Sequence, residues 1–225
     1  MKLSQRIFVL GPKQKSQHLG IRKTLVPKDM IHCGLKQGHQ RSANYGEKFS
    51  IEMPLDTLTL SMYWTWMFDC LIRHDLSHLF ASNGITGFRT QQVKIKLAGE
   101  RVSHDFEMLK PIGWGGGATE KSGVKLLESC CACGYLRYSG VQDWRQLIDW
   151  TQWDGSDIFI AWPLPKYILI TDRVRDLLET NLIEEMTITS LEKMAPQDSD
   201  LTPGRVSDWL PLDKIRSLAI HGDIA

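Results

Sequence analysis

Residues 70–90, CLIRHDLSHLFASNGITGFRT, share a pattern, without a gap, with the residues 98 positions later in the chain. Leu71 aligns with Leu169, Ile72 with Ile170, Leu79 with Leu177, Asn83 with Asn181 and Ile85 with Ile183, and Leu76 matches Val174 in character. The later copy, within 157–191, is the clearer one. Pro163 and Pro165 bracket a turn, because each fixes φ and lacks an N–H donor. Tyr167, Ile168, Leu169 and Ile170 then make an apolar run of the length of a buried strand. Thr171 or Asp172 caps a helix predicted to reach about Asn181. Val174, Leu177 and Leu178 form its apolar face, while Arg173, Arg175, Asp176 and Glu179 face water. Met186 to Thr189 alternates as a half-buried strand does. In the earlier copy Asn83-Gly84 supplies the helix stop, since both residues tolerate the left-handed conformation. The expectation is an α+β fold, with antiparallel or mixed sheets and two pseudo-repeated strand–helix–strand units. These are packing units, and neither carries a catalytic pattern.

A chain of 225 residues can bury a core as one large domain or two small, intimately packed ones. We divide it into an N-terminal arm (1–48), a first unit (49–98), a connector (99–152), a second unit (153–195) and a C-terminal extension (196–225), with 49–195 one compact globule. The net charge of +1 argues against broad phosphate neutralisation, although Lys13, Lys15, Arg22, Lys23 and Lys28 make the start of the chain basic. The longest apolar runs fall far short of the roughly 20 residues a membrane helix needs. No apolar leader with a small-residue cleavage site opens the chain. Five cysteines, three of them at Cys130, Cys131 and Cys133, suit a reducing compartment better than a disulfide framework. The expected location is the cytoplasm.

Elsewhere the text is thinner. Residues 6–10 read as a strand ended by Gly11-Pro12, followed by loop or ordered arm. Thr57 to Met62 alternates as a strand, and Tyr63, Trp64, Trp66 and Phe68 read as core aromatics. Residues 91–97 alternate as a further strand. Gly113-Trp114-Gly115-Gly116-Gly117 lacks the Gly-Lys-Ser/Thr ending of a phosphate loop and the spacing of a dinucleotide fold, so a flexible turn is expected. Residues 146–149 and 212–220 are short candidate elements, the tail being punctuated by Pro196, Pro203 and Pro211.

The pattern that carries chemistry is Cys130-Cys131-Ala132-Cys133-Gly134. Two thiolates three positions apart, followed by a glycine that lets backbone N–H groups face the sulfurs, form one half of a zinc knuckle. Tetrahedral closure needs two more ligands, which Cys33 with His39 or His32 can supply. Such a site would be structural and worth about 10 kcal/mol to a metal-dependent fold. A thioredoxin-like role for Cys130 and Cys133 needs a helix start in a βαβ setting, which the flanks do not show. His74 and His78 are spaced for a metal on a helix, but lack the Glu of HExxH. No serine sits in G-x-S-x-G and no nucleophile–base–acid set is evident, so the chain is expected not to be an enzyme. Turnover at His74, Asp75 and His78 would be the enzymatic alternative.

Asp157-Ile158-Phe159, Pro165, the apolar run 167–170 and Thr171-Asp172-Arg173-Val174, preceded by Cys130-x-x-Cys133-Gly134, resemble the C-terminal part of the double-CxxCG immunity proteins of bacterial polymorphic-toxin systems. Asn83-Gly84-Ile85-Thr86-Gly87-Phe88 has an ending similar to that found in such families. The first CxxCG is reduced to Cys33-Gly34, with Met30 at the outer position. The resemblance, over about 50–195, implies a protein that binds and neutralises a cognate toxin stoichiometrically, with no catalytic residues. Aromatic anchors for that partner would come from among Trp114, Trp150, Trp153, Trp162 and Trp209. The alternative is a small zinc-dependent regulatory or nucleic-acid-binding protein.

Overall fold

The structure is a computed structural model, and it describes residues 6–13, 19–24, 30–42 and 49–218. The fold is α+β. One five-stranded sheet runs Gly113–Gly117, Ile158–Trp162, Ile168–Thr171, Ile7–Pro12, Met186–Ser190. An eight-stranded sheet runs Val102–Ser103, Lys94–Lys96, Phe49–Glu52, Leu19–Thr24, Met62–Thr65, Cys70–Arg73, Phe106–Pro111, Phe88–Gln92. Two small hairpins stand apart, Met30–His32 with Gln40–Ser42 and Leu126–Cys130 with Tyr135–Tyr138. The α-helices are α1 (His74–Ser82), α2 (Asp172–Thr180) and α3 (Leu212–Ser217).

The internal repeat is real and extends well beyond its sequence trace. Every boundary of Cys70–Arg73, α1 and Phe88–Gln92 recurs 98 residues later in Ile168–Thr171, α2 and Met186–Ser190. The helix ends match atom for atom. Asn83 N and Nδ2 both donate to Leu79 O, at 3.2 and 2.9 Å, and Asn181 N and Nδ2 donate to Leu177 O, at 3.2 and 2.8 Å. Ile85 N then reaches Phe80 O at 3.0 Å, and Ile183 N reaches Leu178 O at 3.1 Å. At the next helix-stop position the earlier copy uses Gly84 at φ +63°, whereas the later copy puts Leu182 there at φ +54°. A leucine in that conformation is strained by about 1–2 kcal/mol.

Pairing registers reveal the rest. Phe106–Pro111 lies between Cys70–Arg73 and Phe88–Gln92, with Phe106 opposite Arg73 and Pro111 opposite Phe88. Ile7–Pro12 lies between Ile168–Thr171 and Met186–Ser190, with Ile7 opposite Thr171 and Pro12 opposite Met186. These are the same positions of the two copies. Leu19–Thr24, which follows Ile7–Pro12, pairs in parallel with Met62–Thr65; Gly113–Gly117, which follows Phe106–Pro111, pairs in parallel with Ile158–Trp162. The repeats are therefore 7–92 and 106–190, and each lends its first strand to the sheet of the other.

The N-terminal segment is thus no arm, which corrects the expected boundary at residue 48. Ile7, Phe8 and Leu10 are buried because this strand has a neighbour on both sides. The side chains of Lys15, Arg22, Lys23 and Lys28 lie outside the described ones. The C-terminal extension is also integrated. Leu201 pairs with Tyr138, and Val206, Leu210 and Ile215 are buried against Trp114, Leu136, Ile160 and Trp162. The helices meet in a core shared by both sheets, where Leu76 and Phe80 of α1 join Val174 and Leu178 of α2. Asp157, itself buried, ties the two halves together. It accepts from Thr171 Oγ1 at 3.1 Å, Thr86 N at 3.0 Å and Arg173 Nη1 at 3.0 Å. Arg173 also donates to the carbonyls of Gly84 and Asn83, so the first turn of α2 satisfies the open end of α1.

Three further expectations are corrected. The glycine run is a strand, and its glycines allow close approach: a Cβ at Gly113 would lie 2.4 Å from Ile158 O, and one at Gly115 2.7 Å from the Phe159 ring. Thr57 to Ser61 is irregular, its Thr59 and Leu60 N–H groups donating to Tyr63 Oη instead of to a ladder. Of the four aromatics read as core, Tyr63 and Trp64 are buried, but Trp66 and Phe68 are exposed.

Candidate metal centre

The two small hairpins occupy the same place in the two repeats, after the strand that pairs in parallel and before the hairpin leading to the helix. Each delivers two donor side chains. Cys33 follows Met30–His32 and His39 precedes Gln40–Ser42; Cys130 ends Leu126–Cys130 and Cys133 precedes Tyr135–Tyr138. The ligand atoms of Cys33, His39, Cys130 and Cys133 all lie within 4.8 Å of one another. These are the four residues expected from the sequence, and His39 rather than the exposed His32 completes the set.

The loops explain the convergence. Cys33 N donates to His39 O at 3.0 Å, which closes the first loop and sets both side chains on one side. Leu35 N and Lys36 N point at Cys33 Sγ, each at 3.4 Å. In the second loop Gly134 N donates to Cys130 O at 2.8 Å, and Gly134 takes φ +70°, closing the turn after Cys133. The Cys33 and Cys130 sulfurs are 3.7 Å apart. Two thiolates on one tetrahedral zinc, each bound at about 2.3 Å, stand about 3.8 Å apart, so the pair is spaced as ligands are. Cys133 Sγ lies 4.0 Å from His39 Nδ1.

Electrostatics favour a cation here. A hydrogen bond to His39, helped by the backbone N–H groups of Cys133 and Ala132, holds the Cys130 thiol down to about 6, whereas burial pushes Cys133 up. The other ring nitrogen of His39, Nε2, meets Glu128 Oε1 at 3.1 Å, and the ring stacks on Tyr135 with centroids 4.3 Å apart. Glu128 is held in its charged form by Lys36, with His39 and Arg137 adding to the effect. A carboxylate behind a histidine fixes the tautomer that offers its free nitrogen to a metal. Cys131 is exposed and outside the cluster.

The chain matches no protein-family model and no curated protein. The cluster of three thiols and one imidazole could hold a metal ion such as zinc.

The other sequence-derived sites do not converge. His74 Nε2 is bonded to His104 O at 2.8 Å, Nδ1 faces Glu107 at 3.6 Å, and His78 is exposed. Among the proposed tryptophan anchors, Trp114 and Trp162 are buried, because their strands face the layer holding α3. Trp153 and Trp209 are half-buried and Trp150 is exposed. The role of Glu128 was missed. Its only sequence signal is its place two residues before Cys130.

Proposed function

We propose that this protein is a toxin-neutralising immunity protein of the double-CxxCG type, built on a duplicated fold whose two knuckles share one structural zinc ion. It acts by stoichiometric binding to a cognate toxin and not by turnover. The observation that supports this reading is the meeting of two knuckles, one from each repeat, around Cys33, His39, Cys130 and Cys133. His39 takes the place that a fourth cysteine would have, which accounts for the reduced first motif.

Zinc bound by four protein ligands has no open position for substrate, so its work is to join the hairpins. Residues 35–42 and 126–138 form little helix or sheet beyond those hairpins, and a shared ion gives them a fixed relation. Within the described residues no helix is long and apolar enough to cross a membrane, in keeping with a partner met in solution.

The test is co-expression with the protein encoded by the adjacent gene. Growth is followed when that protein is induced alone and together with this chain, and the mixture is run on a sizing column. Rescue with a 1:1 complex supports immunity. A harmless neighbour, or toxicity that persists with both proteins soluble, overturns it. Salt-sensitive DNA or RNA binding by the zinc-loaded protein would favour a regulatory role instead.

A further inference from the structure

The hairpin between Met62–Thr65 and Cys70–Arg73 ends in a turn that exposes three large apolar side chains in a row. Trp66 is 63% exposed, Met67 41% and Phe68 58%, although every residue of Met62–Thr65 is buried. The internal repeat supplies a control. The equivalent hairpin, Ile158–Trp162 to Ile168–Thr171, sets Phe159 opposite Leu169 where this one sets Tyr63 opposite Leu71, across a connection two residues longer. There the strand-end Trp162 and, in the turn, Leu164 are both buried. The fold therefore does not require an apolar turn to face water here.

The exposed turn is also held rigid. Thr65 Oγ1 accepts from Met67 N at 3.2 Å and Asp69 N at 3.1 Å, and donates to Asp69 Oδ2 at 2.8 Å. Phe68 N donates to Thr65 O at 3.0 Å, and Phe68 sits at φ +65°. An aromatic residue in the left-handed region costs on the order of 1–3 kcal/mol, and such strain collects at ligand clamps and switch regions. Rigid aromatic side chains lose little entropy on being covered.

Phe68 stands between two clefts. One, of about 340 Å³, includes Trp64, Pro163, Tyr167 and Pro203 in its wall, and the other, of about 110 Å³, includes Met108 and Trp209. Lys166, exposed, borders both. Engulfing the three turn side chains would cover about 400 Å², half of the roughly 800 Å² per partner in a standard interface. Two copies meeting tip to tip would bury no more than that. A partner that receives the tip in a pocket and also covers both clefts reaches the full area.

Resting on the immunity reading above, we infer that the 66–68 turn is the anchor that enters an apolar pocket on the toxin, with an acidic group of the toxin beside that pocket meeting Lys166. This assigns the interface to a face carrying none of the metal ligands.

The test measures affinity for the adjacent-gene protein by calorimetry, using wild type, Trp66→Ala/Phe68→Ala, Lys166→Glu and the surface control Leu182→Ala. Far-UV dichroism and melting check that each variant folds. Loss of two hot-spot aromatics is expected to weaken binding at least 30-fold, and Lys166→Glu to slow association and reduce its salt dependence, while Leu182→Ala binds as wild type. Full affinity in a folded Trp66→Ala/Phe68→Ala variant overturns the anchor and leaves the immunity reading intact. Failure of wild type to bind overturns both. A wild-type dimer that dissociates in the double variant would assign the turn to a second copy, against the proposal.

Discussion

Nε2 of His39 lies 3.1 Å from Oε1 of Glu128, and this contact turns Nδ1 toward the three cysteines. Glu128 belongs to one repeat and His39 to the other, so the histidine of the reduced knuckle is oriented by the intact one. Glu128→Gln should therefore weaken metal binding by about 10–100-fold without removing a ligand. Competition against a chromophoric chelator at fixed pH measures this. An unchanged affinity would show that the carboxylate orients nothing.

Chelation should act locally before it acts globally. Amide exchange is expected to rise in 30–42 and 126–138 when the metal is stripped, while Ile158–Trp162 and Ile168–Thr171, paired on both sides within their sheet, keep their protection. Cys133→Ser should reproduce that pattern. Uniform loss of protection over the whole chain would mean that the ion holds the entire fold.

The glycine strand offers a sharp contrast. Gly113→Ala puts a methyl 2.4 Å from Ile158 O and 2.5 Å from Ser156 Cβ, whereas Gly117→Ala meets nothing within 4 Å. The first should lose about 1–3 kcal/mol or more and the second almost nothing, as read from urea midpoints. Equal midpoints would contradict the close packing of this strand.

Asp154 links the glycine strand to α3. Its half-burial pushes the carboxyl pKa up, but Lys214 and the N–H groups of Ser156 and Trp114 outweigh this and leave it lowered. A depressed carboxyl stabilises the fold above its unfolded value of about 3.9, and that contribution is lost as pH falls through the folded-state value. Asp154→Asn should be less stable than wild type at pH 7, with the gap narrowing below pH 4. A gap independent of pH would assign the effect to packing.

What could be read in advance depended on how local each signal was. Cys130 and Cys133 are three positions apart, and their glycine is next to them, so half the centre was legible. The other half was legible only as a choice, because whether His32 or His39 turns inward depends on the closure between Cys33 N and His39 O. The 98-residue offset came through because helix caps and apolar faces recur at fixed spacing. The exchange of first strands did not. Ile7 to Leu10 announces a buried strand in any sheet, and nothing in its side chains says that its neighbours are Leu169 and Thr189. Trp66 and Phe68 were misread for a related reason. Apolar character signals burial unless a turn intervenes, and the Thr65–Asp69 bonding that makes the turn has no strong sequence mark.

Strand exchange also sets an order of events on the ribosome. Ile7–Pro12 emerges before any other described strand, yet its two neighbours, Ile168–Thr171 and Met186–Ser190, are the last two described strands to be made. The eight-stranded sheet has all its strands once Phe106–Pro111 is out. The second sheet lacks the strand that joins Ile168–Thr171 to Met186–Ser190 within its own repeat and takes up chain made at the outset. Throughout that interval an apolar segment, Ile7 to Leu10, has no partner and is a target for misassembly between nascent chains. A shortened product ending before residue 168 would leave it so permanently.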